Sequence, residues 1–337
     1  MLKIIPHISS VNTNLSYRTE DIRFSPSGRR LAVASTDNCL LIYAVDLTMR
    51  PIRIELEMEL RSLSLLVPHG VEFLSEDKLV VANRNGNLSF FQISPLSDWH
   101  NWHRCLQIES IFEVQSPLFG LTDQKRMLRD RELFCGPGSV RFFNNTLYVS
   151  CNYLNTVSTF FCQLDNEKLS VQEGIVIAHH GLEVIDGIAL SQDGNLMALS
   201  DHDNHRVVIY RRTMNPSELL GRPPFSIICS LTDIDMHYAH GLCFDRTGNA
   251  LFVADAGGRY INVFKNNGDW DMDMLKSSVK IIGVDLEAFN KTQDSVNEKF
   301  RILEGGEKGL DIDPSGRIMV TTCNNQTIRF FEIYEKE

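Results

Sequence analysis

No apolar run in the 337 residues approaches the ~20 needed to cross a bilayer as a helix. The opening residues, Met1-Leu2-Lys3-Ile4-Ile5-Pro6-His7, have neither the apolar core nor the small-residue cleavage site of a secretory signal. Eight cysteines are scattered, at 39, 105, 135, 151, 162, 229, 243 and 323, with no Cys-x-x-Cys pair. Free cysteine packs as a small hydrophobe, so most are expected in the core, and a reducing, cytoplasmic location is expected. Positive charge is in deficit, with 33 Lys and Arg against 43 Asp and Glu and a net charge of −10. A nucleic-acid partner needs a basic patch, so none is expected, and no membrane partner either. The chain also has no Gly-x-Ser-x-Gly elbow, no Gly-rich phosphate loop and no His-Glu-x-x-His pair.

What is present is one short pattern repeated six times. The copies read Glu20-Asp21-Ile22-Arg23-Phe24, His69-Gly70-Val71-Glu72-Phe73, Gly138-Ser139-Val140-Arg141-Phe142, Asp186-Gly187-Ile188-Ala189-Leu190, His240-Gly241-Leu242-Cys243-Phe244 and Lys308-Gly309-Leu310-Asp311-Ile312. A repeat near fifty residues with several short strands per copy predicts an all-β, six-bladed β-propeller of four antiparallel strands per blade. The whole chain, 1–337, then folds as one domain, since blades cannot bury their faces separately. Period-2 alternation gives four strands to each of the first five copies, with Trp102–Ile108 as the outer strand of the second. The sixth copy shows only three, and Leu2–His7 is expected to supply the fourth, closing the ring and leaving no open edge.

The last residues of the six copies are separated by 49, 69, 48, 54 and 68 positions. The two long intervals locate insertions at 112–137 and 286–307, both with helix-compatible runs, and loops of that length are usually functional or disordered. The inner strand leaves the face where it starts and the second strand returns to it. The turns between strands two and three, the inner-strand starts and both insertions therefore share one face, the top. Seven of ten histidines fall there: His69, His179, His180, His202, His205, His237 and His240.

The fourth and fifth copies resemble the NHL repeat. Asp186-Gly187-Ile188-Ala189-Leu190-Ser191-Gln192-Asp193-Gly194 leads into Asp201-His202-Asp203-Asn204-His205-Arg206, with the inner-strand Gly, the Asp-Gly turn and the Asp-x-x-Asn-x-Arg turn of that family. The fifth keeps Ala254-Asp255 and Arg259, with Gly258 for the Asn, and the other copies keep the strand pattern alone. The Trp-Asp mark of another propeller class occurs only in a loop, at Trp270-Asp271. NHL propellers include scaffolds and enzymes, so this resemblance does not choose between them. Two propeller enzyme groups are also similar. By resemblance to the senescence-marker-protein/gluconolactonase family, Glu20 and Asp186 stand where a divalent metal is held, and His240 where a carboxylate would be. By resemblance to peptidylglycine amidating lyase, His69 and His240 stand at zinc-holding positions, with Asp186 in place of a third histidine.

Blade order places His69 opposite His240 and Glu20 opposite Asp186, while Gly138 leaves room for a ligand. Two imidazoles with a carboxylate suit Zn²⁺, Fe²⁺ or Mn²⁺ better than Ca²⁺. The expected metal ligands are thus His69, Asp186 and His240, with Glu20 off the metal as a general base. Lys308 is expected to pair with Glu20, or to act in catalysis itself. Arg84 would grip a substrate carboxylate or face solvent. Asp201, Asn204 and Arg206 are expected to stabilise their own turn, His202 and His205 to be solvated at the rim, and His179-His180 to lie near Asp186. One functional expectation is a metal-dependent enzyme acting on a small carbonyl-bearing metabolite at the top face, by lactone or ester hydrolysis or by lyase or isomerase chemistry. Another is a non-catalytic propeller binding a protein or peptide there. A third is a metal-free pocket of the strictosidine-synthase type. A polar channel holding only water accounts for the same residues without any of these.

Overall fold

The computed structural model describes residues 2–7, 18–93, 104–114, 136–165, 168–178, 181–213, 224–266, 269–270, 278–300 and 304–335. Blade one is β2 (Thr19–Phe24), β3 (Arg30–Ser35), β4 (Cys39–Asp46) and β5 (Arg53–Arg61), and its inner strand β2 is preceded in the chain by β1 (Leu2–His7). Blade two is β6 (Pro68–Ser75), β7 (Lys78–Asn83), β8 (Leu88–Gln92) and, after an intervening β9 (Arg104–Gln107), β10 (Phe112–Val114). Blade three is β11 (Pro137–Phe143), β12 (Thr146–Cys151), β13 (Thr156–Asp165) and β14 (Lys168–Ala178). Blade four is β15 (Ile188–Leu190), β16 (Leu196–Asp201), β17 (Arg206–Arg212) and β18 (Phe225–Leu231). Blade five is β19 (Ala239–Phe244), β20 (Ala250–Asp255), β21 (Tyr260–Lys265) and β22 (Val279–Ile282). Blade six is β23 (Glu307–Ile312), β24 (Ile318–Cys323), β25 (Arg329–Glu335) and β1, which pairs antiparallel with β25 from Leu2 opposite Glu335 to His7 opposite Phe330. The inner strands touch in the order β2, β6, β11, β15, β19, β23 and back to β2. The ring is closed.

One strand sits elsewhere than the alternation implied. The segment expected as the outer strand of blade two instead runs parallel to β5, with Met58 opposite Arg104 and Arg61 opposite Gln107, and gives blade one a fifth strand. The short β10 takes the outer place in blade two, with Phe112 opposite Phe90. Leu106 and Ile108 can make this move because they pack into the core that blades one and two share. Six apolar clusters lie between neighbouring blades, for example Ile22, Leu31 and Val33 against Val320 and Phe330 across the blade one–six seam. Five of the seven described cysteines are buried, as expected of small apolar fillers.

The inner strands share a second feature that positions the site. Five of the six carry a register shift at their start: Thr19/Asp21, Pro68/Gly70, Pro137/Val140, Ala239/Leu242 and Glu307/Gly309. A β-bulge inserts one unpaired residue and re-aims its side chain. With strict alternation, the first residue of each copy would share the face of the third and fifth, which are core positions such as Ile22 and Leu242, both 0% exposed. The extra residue turns Glu20, His69, His240 and Lys308 into the channel. The glycine that follows His69, His240 and Lys308 is required by the close approach of neighbouring inner strands. A Cβ on Gly70 would lie 2.8 Å from the Gly138 carbonyl oxygen, and one on Gly309 would lie 2.7 Å from the Ile22 nitrogen.

Of the insertion 112–137, residues 115–135 lie outside the described residues, as do His179 and His180. The insertion 286–307 holds α1 (Leu286–Phe300). Asp285 caps it, its carboxylate accepting the Ala288 N–H at 2.8 Å. Thr292 of α1 accepts a hydrogen bond from Gln326 Nε2 at 3.0 Å, which seats the helix on the β24–β25 turn. No helix among the described residues is long and apolar enough to cross a membrane.

Candidate functional site

All six side chains singled out from the sequence meet at the top of the channel. Glu20, His69, Asp186, His240 and Lys308 are each 5% exposed or less, and only Arg84 reaches solvent appreciably. Glu20, His69 and His240 form the tightest group, each offering a ligand atom within 4.8 Å of the others. Glu20 Oε2 lies 3.6 Å from His69 Nε2 and 3.5 Å from His240 Nε2. Asp186 stands slightly further off, at 3.8 Å from His69 Nε2 and 4.0 Å from His240 Nε2. It is occupied by Arg84, whose Nη2 donates to Oδ1 at 2.7 Å, and by the Asn152 amide on the same oxygen.

His69 is the most telling member. Its Nδ1 lies 2.8 Å from the Gly138 carbonyl oxygen, an acceptor only, so Nδ1 carries the proton. The lone pair is left on Nε2, which is buried, has no hydrogen-bond partner and faces Glu20 and His240. Burial, reinforced by the Arg84 guanidinium, pushes this imidazole down to about 3, so it is neutral at physiological pH. A neutral imidazole oriented by a backbone carbonyl through its other nitrogen is the form that binds a metal ion.

The carboxylates around it are ionised. Burial alone would raise Glu20, but Lys308 and Arg18 overcome it and hold the carboxyl well below the usual range. Lys308 Nζ lies 2.8 Å from Oε2 and Arg18 Nε 2.8 Å from Oε1, so the expected Lys308–Glu20 pair is present and a second cation joins it. Asp186 is likewise held down against its burial, by Arg84 first and then by His202. Glu304, carried by the stretch after α1, completes the set at 2.8 Å from Lys308 Nζ and 3.3 Å from His202 Nε2. Three carboxylates are thus matched by Arg18, Arg84 and Lys308.

Comparison with known proteins bears on this geometry only through the fold. No protein-family model matches the chain, and no curated protein matches its sequence. Among solved structures it is similar to a luciferin-regenerating enzyme, with a TM-score of 0.55 at 11% identity, covering 99% of this chain and 96% of that one. The likeness is one of fold.

His202 departs from expectation. It is 4% exposed rather than solvated at the rim, stacked on Tyr238 with ring centroids 4.7 Å apart, and its Nε2 lies 3.7 Å from Asp186 Oδ2. His205 is exposed, as expected. Asp201 serves its own turn, accepting from Asn204 Nδ2 at 2.9 Å and from Arg206 Nε at 2.6 Å. The residues that sequence reasoning did not place in the site (Arg18, Asn152, His202 and Glu304) carry one readable signal. Arg84, Asn152 and His202 each directly follow the second strand of their blade, and all three point to Asp186. One register position of the repeat, in three consecutive blades, therefore backs Asp186.

Burial would lower His202, but Glu304, Asp186 and Asp203 raise it to about 9. Its folded value lies above the ordinary 6.5, so its contribution to stability is complete below pH 6.5 and is lost as pH rises through about 9. The difference amounts to about 3 kcal/mol. Urea unfolding of wild type and His202→Gln across this window should show the wild-type free energy falling more steeply by that amount. Parallel curves would refute the assignment of a buried imidazolium.

Proposed function

We propose that this propeller is a metal-dependent enzyme acting on a small carbonyl-bearing metabolite at the top of the channel. The observation that carries the reading is the buried, unpartnered Nε2 of His69, aimed at Glu20 and His240 with its tautomer fixed by the Gly138 carbonyl. Glu20, His69 and His240 would hold the ion, and Asp186, engaged by Arg84, would lie beside it as an acceptor. This exchanges the roles first expected for Glu20 and Asp186. One glutamate and two imidazoles suit Zn²⁺, Fe²⁺ or Mn²⁺, and a bound ion of this kind supplies a Lewis acid for a carbonyl oxygen. Asp186, kept ionised by Arg84, would stabilise positive charge beside the ion, and His202, kept charged by its carboxylate neighbours, would donate a proton to a departing oxygen. Arg84, with Nη2 on Asp186, fixes the direction of that carboxylate and remains partly open to solvent for an anionic substrate group. Lactone or ester hydrolysis and lyase or isomerase chemistry all use this set.

A metal-free pocket is the second reading, favoured by the pairing of both Glu20 oxygens with cations at 2.8 Å. A scaffold using the top face for a peptide would need no convergence of these side chains. Metal analysis of protein purified without an affinity tag separates the readings. About one equivalent of transition metal in wild type, lost in both His69→Ala and His240→Ala, is expected. Wild-type protein that stays metal-free after incubation with Zn²⁺, Mn²⁺ and Fe²⁺ would end the metalloenzyme reading.

A further inference from the structure

Below the ring of Glu20 and its neighbours, the fourth residues of the six copies form another: Arg23, Glu72, Arg141, Ala189, Cys243 and Asp311. Its two arginines are 4% and 9% exposed along their side chains, and both face the carboxylate of Asp21. Arg141 Nη1 is 3.4 Å from Asp21 Oδ2, and Arg23 Nη2 is 3.7 Å from Asp21 Oδ1, so the two guanidinium groups flank one carboxylate. Arg23 Nη1 is satisfied, donating to the Leu310 carbonyl at 2.9 Å and lying 3.0 Å from Asp311 Oδ1. Arg23 Nε, Arg23 Nη2 and Arg141 Nη2 are buried with no hydrogen-bond partner, Nη2 of Arg23 facing Asp21 at ion-pair distance only. Opposite Arg23 on the ring, blade four contributes only the methyl group of Ala189.

Buried N–H donors without an acceptor each cost about 1–3 kcal/mol, more on charged groups, so three on two facing arginines call for an occupant. Water is a poor one, because it must place two protons of its own. Asp21 already accepts from Ile22 N at 3.0 Å, Val71 N at 3.2 Å and Arg141. Asp311 accepts from Phe24 N at 2.8 Å and faces Arg23. Glu72, the remaining carboxyl on the ring, is pushed up by burial to about 8, so at neutral pH it adds a donor and takes no charge off the arginines. The need is for an acceptor with no protons. Glu72, Cys243 and Asp311 are only half-buried, which leaves an approach from solvent.

We propose that the lower channel holds a monovalent inorganic anion of halide size, chloride being the common one, bound by Arg23 and Arg141. The site involves none of the metal-holding residues, so it stands or falls apart from the enzyme reading. Thermal unfolding is to be followed at constant ionic strength while sodium chloride replaces sodium gluconate, whose anion is far bulkier than a halide. Ligand linkage predicts a wild-type midpoint that rises by several degrees with chloride, and an Arg141→Met midpoint that does not respond. Crystals grown in sodium bromide should show an anomalous peak within hydrogen-bond reach of both guanidinium groups. A wild-type midpoint indifferent to the exchange, a chloride response kept in Arg141→Met, or water density without a bromide peak would each overturn the proposal. Should Arg141→Met fail to fold, the bromide map of wild type decides alone.

Discussion

Glu20→Gln is expected to lower the unfolding free energy by about 3 kcal/mol, the low end for removing one partner of a buried ion pair. The loss comes from Lys308, which is 2% exposed and would keep its charge with one carboxylate fewer. Glu304, also 2.8 Å from Lys308 Nζ, limits the damage, and Arg18, 26% exposed, can turn toward solvent. The pH dependence follows from the direction of the shift. Glu20 is held below its ordinary value, so its contribution is present above about pH 4.5 and disappears as pH falls through the folded value. A double-mutant cycle with Lys308→Met checks the cause, because the double variant should lose less than the sum of the two single losses, Glu304 being left without Lys308 in either Met variant. A single variant within about 0.5 kcal/mol of wild type would show that the pair contributes nothing. The same variant should lose metal, so stability and metal content separate the structural from the ligating role of one side chain.

The opposite sign is expected one layer down. Glu72→Gln should stabilise the protein by about 2–3 kcal/mol near pH 8, after allowing for partial contact of Glu72 with solvent. In the unfolded chain this carboxyl ionises near 4.5, whereas burial holds the proton in the folded channel up to about 8. Folding therefore binds a proton, and its penalty grows as pH rises from 4.5 to 8. Glutamine mimics the protonated acid and removes the penalty. Chemical denaturation at pH 4 and pH 8 should give equal stabilities at the lower value and a more stable variant at the higher one. If glutamine destabilises at pH 8, Glu72 is ionised there and serves as a counter-ion to Arg23.

The fold was legible because its information is local and repeated. Alternation within each copy placed strands such as Arg30–Ser35 and Leu196–Asp201, and the missing fourth strand of the last copy pointed to Leu2–His7. The extra strand of blade one was not legible in the same way. Alternation around Leu106 marks a strand with one buried face, and that pattern is the same whichever neighbouring edge it joins. In the site, the first residues of the copies were readable because the repeat brings them to one axis. Their outward companions were harder. His202 is buried by a tyrosine from the next blade and a glutamate from an insertion, and neither neighbour lies near it in sequence. Which carboxylate sits closest to the two histidines also depends on side chains from other blades, since Arg84 and Asn152 draw Asp186 aside. Position in the repeat selects the candidates, and long-range pairing distributes the roles.

The closure of blade six also sets a timetable. β1 has no partner until β25 has been made, more than three hundred residues later along the chain. Until then a growing chain exposes the apolar flank of blade one that Val320 and Phe330 will cover. Contacts this distant make folding slow and leave sticky intermediates, so the unfinished ring is the species most in need of a chaperone. Lys308 too arrives late, and the two buried histidines wait beside a glutamate that has met Arg18 but not yet Lys308. Completion of the centre and closure of the ring both wait on blade six, the first on β23 and the second on β25.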